Sequence, residues 1–110
     1  MPAYNTVTAE RPAVCPVCGL EQLRDVQFTF GETWQLAYRV GDRIKWGAND
    51  SGEPGHPRVG VAGYGEDCVR CGAVDPVERY DIVIADDVIA SVTPADGSVR
   101  YGPDDWTVLA

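Results

Sequence analysis

Hydrophobic and polar residues alternate with a period of two over several stretches of this chain. In residues 23–30, "LRDVQFTF", the apolar side chains of Val26, Phe28 and Phe30 fall on one face and polar side chains on the other. Residues 33–40, "TWQLAYRV", repeat the pattern. This period is typical of a strand with one buried face. The inward-facing positions that the second stretch predicts are Trp34, Leu36, Tyr38 and Val40.

Turn-forming residues separate these stretches. Gly31 with Glu32, and "GD" at 41–42, predict tight turns. The "ADD" sequence predicts a hairpin between "ERYDIVI" and "VIASV", and "SVRY" would add a short edge strand. Residues 47–58 are rich in Gly, Pro, Asp and Asn and predict an exposed loop. Since no long stretch has the period of an amphipathic helix, we predict an all-β fold, an antiparallel sheet of about six or seven strands.

The length of 110 residues suits one domain. We expect residues 1–13 to form a flexible N-terminal arm, since they contain two prolines and show no clear periodicity. Residues 14–102 would form the single β domain. Residues 103–110 would be a C-terminal tail that could pack back on the sheet through Trp106.

Four cysteines occur in two matching segments, "CPVCG" at 15–19 and "CVRCG" at 68–72. As disulfides they would allow three connectivities. A dithiol redox centre needs only one such pair and usually opens a helix. Two residues between sulfurs let one tight turn present both to a single ion, and two such turns complete a closed tetrahedral shell. We therefore favour a structural metal site whose ligands are Cys15, Cys18, Cys68 and Cys71.

Residues next to the cysteines fit this interpretation. Pro16 fixes φ at the start of the first turn. Gly19 and Gly72 can adopt the positive φ that leads the chain away from the metal. Backbone N–H groups in both turns should point at the thiolates, and Arg70 could offset their charge.

The two segments resemble the paired knuckles of zinc ribbon proteins. The resemblance implies a small β domain in which both turns clamp one Zn²⁺. The second knuckle has no proline, and 49 residues separate Cys18 from Cys68, so the intervening segment must itself be folded. Rubredoxins have similar knuckles but hold iron and transfer electrons, which makes iron the alternative metal.

Residues suited to catalysis are few. His56 is the single histidine and lies in the 47–58 loop near Glu53, where a simple surface position suits it better than the role of a general base. Four sulfurs leave zinc no open coordination position. The adjacent carboxylates Asp86–Asp87 and Asp104–Asp105 lie in a turn and in the tail. We therefore expect no enzyme activity.

The net charge of −8, with basic residues scattered singly, opposes nucleic-acid binding. We expect a cytoplasmic protein, because the N-terminus has no secretory pattern and no apolar run could span a bilayer. The predicted function is a protein-interaction or adaptor module with an unidentified partner, contacted through loop 47–58 and the acidic surface, and with Trp46 and Trp106 as possible contacts if exposed. A redox or electron-transfer protein, a nucleic-acid-binding zinc ribbon and an acidic inhibitor of a basic enzyme or toxin stay open as alternatives.

Overall fold

The computed structural model describes residues 4–77 and 79–109, which form nine strands and no helix. The strands are β1 (Asn5–Val14), β2 (Glu21–Phe28), β3 (Gly31–Glu32), β4 (Ala37–Arg39), β5 (Asp50–Ser51), β6 (Arg58–Gly65), β7 (Tyr80–Ala85), β8 (Val88–Pro94) and β9 (Trp106–Val108). The predicted all-β class is confirmed. Neither described range contains a helix long and apolar enough to cross a membrane.

Seven strands form one curled sheet in the order β4-β1-β2-β6-β7-β8, with β9 also paired to β6. Neighbouring strands are antiparallel except β1 and β4, which are parallel, so the sheet is mixed rather than purely antiparallel. A backbone bridge between Arg43 and Val88 connects the chain after β4 to the start of β8. Strands β3 and β5 form a separate two-stranded ribbon.

The concave side of the sheet encloses the hydrophobic core. Val26, Phe28 and Phe30, the face predicted from the alternation of β2, are all buried. The sheet's β6–β8 half contributes a run of branched aliphatic side chains, as expected for strands packed in a core. The buried core residues are Val7, Val26, Phe28, Phe30, Tyr38, Ile44, Val59, Val61, Tyr80, Ile82, Ile84, Ile89 and Val92.

The N-terminal arm is the clearest wrong prediction. Residues 5–14 form β1, which lies between β4 and β2 in the sheet, while residues 1–3 are outside the described part of the chain. Pro12 is accommodated because a register shift between Thr8 and Pro12 interrupts the ladder there, and bulges and edges are where strands tolerate proline. Asn5 and Val7 point inward from β1 and are fully buried.

The segment 33–40 also differs from its prediction. Only Ala37–Arg39 form a strand, and Trp34 is 70% exposed instead of buried. The chain bends because Gln35 has a φ of 57°. Tyr38, by contrast, is buried as predicted. Gly31 and Glu32, predicted as a turn, form β3, and "SVRY" forms no strand.

The hairpin predicted at "ADD" is confirmed. Ala85 pairs with Val88 across the two-residue turn Asp86–Asp87, whose φ angles of 49° and 62° are those of the turn type that matches strand twist. Residues 47–58 are largely exposed, as predicted, apart from a short pairing through β5. The tail packs back on the sheet through β9.

Candidate metal centre

The two knuckles occupy the connections β1–β2 and β6–β7. Cys15 follows the last residue of β1, and the second knuckle follows β6. Because β1 and β6 are both antiparallel to β2, they run in the same direction and deliver both knuckles to one end of the sheet. The topology therefore explains how cysteines distant in sequence come together.

The backbone of the two knuckles is the same. In the first, Gly19 N–H donates to the Cys15 carbonyl and Cys15 N–H to the Leu20 carbonyl, both at 2.9 Å. The second repeats both bonds, from Gly72 to Cys68 and from Cys68 to Ala73, again at 2.9 Å.

The glycine that closes each turn lies in the left-handed region. The φ angles are 77° for Gly19 and 73° for Gly72, as the sequence predicted. Among the described residues, no atom outside the two chain neighbours would lie within 4 Å of a Cβ at either position. The backbone conformation, and not a lack of space, is therefore the reason for glycine at both sites.

The four sulfur atoms lie within 4.8 Å of one another. Across the knuckles, the Sγ atoms of Cys15 and Cys71 are 3.6 Å apart, and those of Cys18 and Cys68 are also 3.6 Å apart. A tetrahedral ion with metal–sulfur bonds of about 2.3 Å requires sulfur–sulfur edges of about 3.8 Å. The sulfurs thus fit one shared ion, and their separations are far beyond a disulfide bond, which is about 2.05 Å long.

The knuckle backbone favours thiolate. Hydrogen bonding from the backbone N–H groups of Cys18 and Val17 lowers the pKa of Cys15 to about 6. The N–H groups of Cys71 and Arg70 likewise lower the pKa of Cys68. Both knuckles therefore direct N–H groups at a thiolate, the role expected of the surroundings of a sulfur-ligated metal.

The pKa of Cys71 is shifted in the opposite direction when only the other three thiols surround its sulfur. The Ala73 N–H lowers its pKa, but desolvation and hydrogen bonds with the three other cysteines outweigh this and raise it to about 11. Four thiolates cannot gather here without a cation to neutralise them. The donor set is thus suited to a metal ion rather than to four free anions.

Burial differs among the four ligands. Cys15 and Cys68, the first cysteine of each pair, are buried, Cys18 is half-buried and Cys71 is exposed. The second knuckle is anchored on its inner side, because Arg24 Nη1 donates to the Glu66 carbonyl at 3.2 Å. The cluster is consequently closed toward the protein and open to solvent on one side.

The other candidates from the sequence lie elsewhere. His56 is not part of the sulfur cluster; its Nε2 is 3.4 Å from Glu53 Oε2 on the exposed loop. Trp46 and Trp106 are half-buried and pack edge-on against Phe30, with ring centroids 5.3 Å and 5.8 Å apart. They are therefore core residues at the edge of the hydrophobic cluster.

Five exposed apolar residues in the two knuckles and the segments beside them were missed from the sequence. We call this set the knuckle surface; its members are Val14, Val17, Leu23, Val69 and Val74. Val17 and Val69 occupy the two turns themselves and are 71% and 83% exposed. A valine inside a tight turn between two paired cysteines cannot reach the core, and this position was the signal available in the sequence.

No protein family, curated protein or solved structure matches this chain.

Proposed function

We propose that this chain is a non-catalytic β domain whose four cysteines hold a structural Zn²⁺ and whose knuckle surface binds a partner protein. The observation that carries the proposal is the cluster of four cysteine sulfurs together with exposed valines in both of the turns that hold them. A metal ion with four sulfur ligands has no open coordination position for a substrate, so such a site stabilises the fold. The proposal places the protein in a reducing compartment such as the cytoplasm, where the thiols stay available to the ion.

Zinc is the metal that the resemblance of the two segments to zinc ribbon knuckles favours. Four thiolates in a tetrahedron suit Zn²⁺ and iron alike. Nothing in the knuckles distinguishes the two ions. The visible absorption spectrum of the metal-loaded protein does. A colourless metal-loaded protein supports zinc, whereas strong visible absorption would move the assignment to iron and the function to electron transfer.

Apolar exposure supports a contact at the metal end. Of the nine large hydrophobic residues that are exposed in the described part of the chain, five belong to the knuckle surface and none lies in loop 47–58. Contiguous apolar patches on soluble proteins commonly mark sites of interaction with other proteins, and we propose that these five side chains form such a patch. Trp34 is also exposed, but its backbone N–H donates to Asn5 Oδ1 at the start of β1, whereas the knuckles lie past the end of that strand.

Site-directed photo-crosslinking in the native host tests this contact. A photoreactive residue at Val17 or Val69 should capture a defined partner, and the same residue at Trp34 should not. The capture at Val17 should also disappear when the four cysteines are unloaded with a chelator. Equal products from all three positions, or products that do not depend on metal, would contradict the proposal.

A further inference from the structure

Each sulfur of one knuckle contacts a sulfur of the other. The Sγ atoms of Cys15 and Cys71 are 3.6 Å apart. The Sγ atoms of Cys18 and Cys68 are also 3.6 Å apart. The contacts are crossed, because the first cysteine of each knuckle meets the second cysteine of the other. A small rotation of both side chains about their Cα–Cβ bonds would bring either pair within bonding distance.

The backbone of each knuckle supports the same pairing. The N–H group of Cys18 is directed at the sulfur of Cys15, and the N–H group of Cys71 is directed at the sulfur of Cys68. Its own turn thus supplies each of these first sulfurs with backbone donors, while the opposite knuckle supplies a sulfur at 3.6 Å. These contacts favour bonds between the knuckles over bonds within them.

Exposure to solvent differs within each crossed pair. Cys71 is exposed and its partner Cys15 is buried, whereas Cys18 is half-buried and its partner Cys68 is buried. An oxidant that arrives from solvent therefore reaches one sulfur of each pair first, with the second sulfur already in contact with it. An accessible cysteine beside a second cysteine is typical of reversible thiol oxidation. A bond between Cys15 and Cys68 would join two buried sulfurs, and that pair would have no accessible member.

We propose that the cluster is a redox switch, in which a hydroperoxide converts the zinc-loaded site into two disulfides between the knuckles and releases the ion. The pairs are Cys15 with Cys71 and Cys18 with Cys68. This inference rests on the proposed function for the presence of zinc, and it adds regulation of that site. The disulfides replace the ion as the link between the β1–β2 and β6–β7 connections, so the sheet persists in the oxidised protein.

One hydroperoxide molecule supplies the oxidation for each disulfide. The exposed sulfur of Cys71 attacks the peroxide, so that a sulfur–oxygen bond forms, the oxygen–oxygen bond breaks and hydroxide leaves. The sulfur of Cys15 then attacks Cys71 Sγ, the sulfur–oxygen bond breaks and a second hydroxide leaves. Two thiolates have lost two electrons, and both oxygen atoms of the peroxide are reduced. The second pair reacts in the same way, after which no thiolate remains to hold Zn²⁺.

Hydrogen peroxide added to the zinc-loaded protein tests this inference. A zinc-binding dye should report release of the ion, and the intact mass should show the loss of two hydrogen atoms for each disulfide. Trypsin cleaves after Arg70, between Cys68 and Cys71. In a non-reducing digest, crossed pairing should link the fragment of residues 71–79 to the N-terminal fragment that contains Cys15 and Cys18. Disulfides within the knuckles would leave that N-terminal fragment unlinked.

Val17→Arg completes the assignment by adding a cleavage site between Cys15 and Cys18, at the position that Arg70 has in the other knuckle. The fragment with Cys15 should then be linked only to the fragment with Cys71. Fragmentation of the linked wild-type peptides in the mass spectrometer gives the same assignment if the variant fails to bind zinc. Any other pairing, or oxidation to sulfinic acid without disulfides, would overturn the inference.

Urea unfolding distinguishes a switch from oxidative damage. The paired cysteines lie 56 and 50 positions apart in the chain, and closing such long loops restricts the unfolded state. The oxidised protein should therefore unfold at a higher urea concentration than the reduced protein without metal. Dithiothreitol together with Zn²⁺ should restore the original mass and metal content. A midpoint at or below that of the reduced metal-free protein, or failure of this restoration, would overturn the inference.

Metal content before oxidation separates this inference from the proposed function. If the purified protein holds no zinc, the proposed function fails, and the release step fails with it. If the protein holds zinc but forms other disulfides, or unfolds when it is oxidised, only the redox switch is contradicted.

Discussion

Replacing Asn5 by alanine should destabilise the whole β1 side of the sheet. Asn5 is fully buried, and its amide uses all of its hydrogen-bonding capacity within the described structure. Nδ2 donates to the carbonyls of Phe30 and Glu32 at 3.3 Å and 3.0 Å. Oδ1 accepts the N–H groups of Trp34 and Leu36 at 3.3 Å and 3.0 Å. One side chain thus fixes the bend between β3 and β4.

The expected cost of Asn5→Ala follows from these four contacts. A buried hydrogen bond contributes about 1 kcal/mol net, and leaving its partner unsatisfied costs more. Since two of the contacts are long, we expect the free energy of unfolding to fall by about 3 kcal/mol. With a urea dependence of about 1.5 kcal/mol per molar, the midpoint should fall by about 2 M.

Urea unfolding of metal-saturated protein, followed by tryptophan fluorescence, measures this loss. Asn49→Ala is the matched control, because Asn49 donates a single hydrogen bond, to the Thr33 carbonyl, from an exposed position. Its loss should stay below about 1 kcal/mol. If Asn5→Ala costs no more than Asn49→Ala, the side chain does not hold the bend and this reasoning is refuted.

Three other changes test separate features. Gly63→Ala should cost about 1–3 kcal/mol in urea unfolding, because its Cβ would lie 2.5 Å from Val26 Cγ1 in the core. An unchanged midpoint would contradict that packing. Burial and the hydrogen bond to Asp75 raise the pKa of Tyr80. Its contribution to stability should therefore be complete below the ordinary phenol pKa of 10.0 and decline above it; Tyr80→Phe should lessen that alkaline decline, and an identical slope would refute the assignment. Trp34→Ser should change the unfolding free energy by less than about 0.5 kcal/mol, since this side chain is 70% exposed; a larger loss would indicate burial.

The parts of the fold that the sequence predicted are those with strong local patterns. The alternation in β2 is unambiguous because phenylalanine and valine occupy every inward position from Val26 onward. The hairpin at Asp86–Asp87 follows from turn chemistry alone. The clustering of the four cysteines could be predicted because two residues between paired cysteines are typical of a metal-binding turn, whatever the rest of the fold.

The errors arose where long-range contacts decide the local structure. In β1 the first inward residue is Asn5, whose burial depends on partners that lie 25–31 residues further along the chain. No local pattern marks such a residue as a core residue. Trp34 shows the reverse: it falls on the apolar face of an apparent strand, but the chain bends at Gln35 to reach Asn5.

The burial of Arg24 could not be predicted either. The alternation puts it on the same face of β2 as Val26 and Phe28, but an arginine at the end of that face looks like a solvent-exposed side chain. It is buried because three residues of β1, from Ala9 to Arg11, lie opposite it at the register shift. Only the pairing of the two strands reveals this, and the pairing is not encoded locally.

The central claim is that both knuckles share one metal ion. X-ray absorption spectroscopy, together with the metal content of protein purified without added metal, tests it most directly. The account predicts about one ion per chain, surrounded by four sulfur atoms at about 2.3 Å. A substoichiometric metal content, or a first shell that contains nitrogen or oxygen in place of any of the four sulfurs, would contradict it.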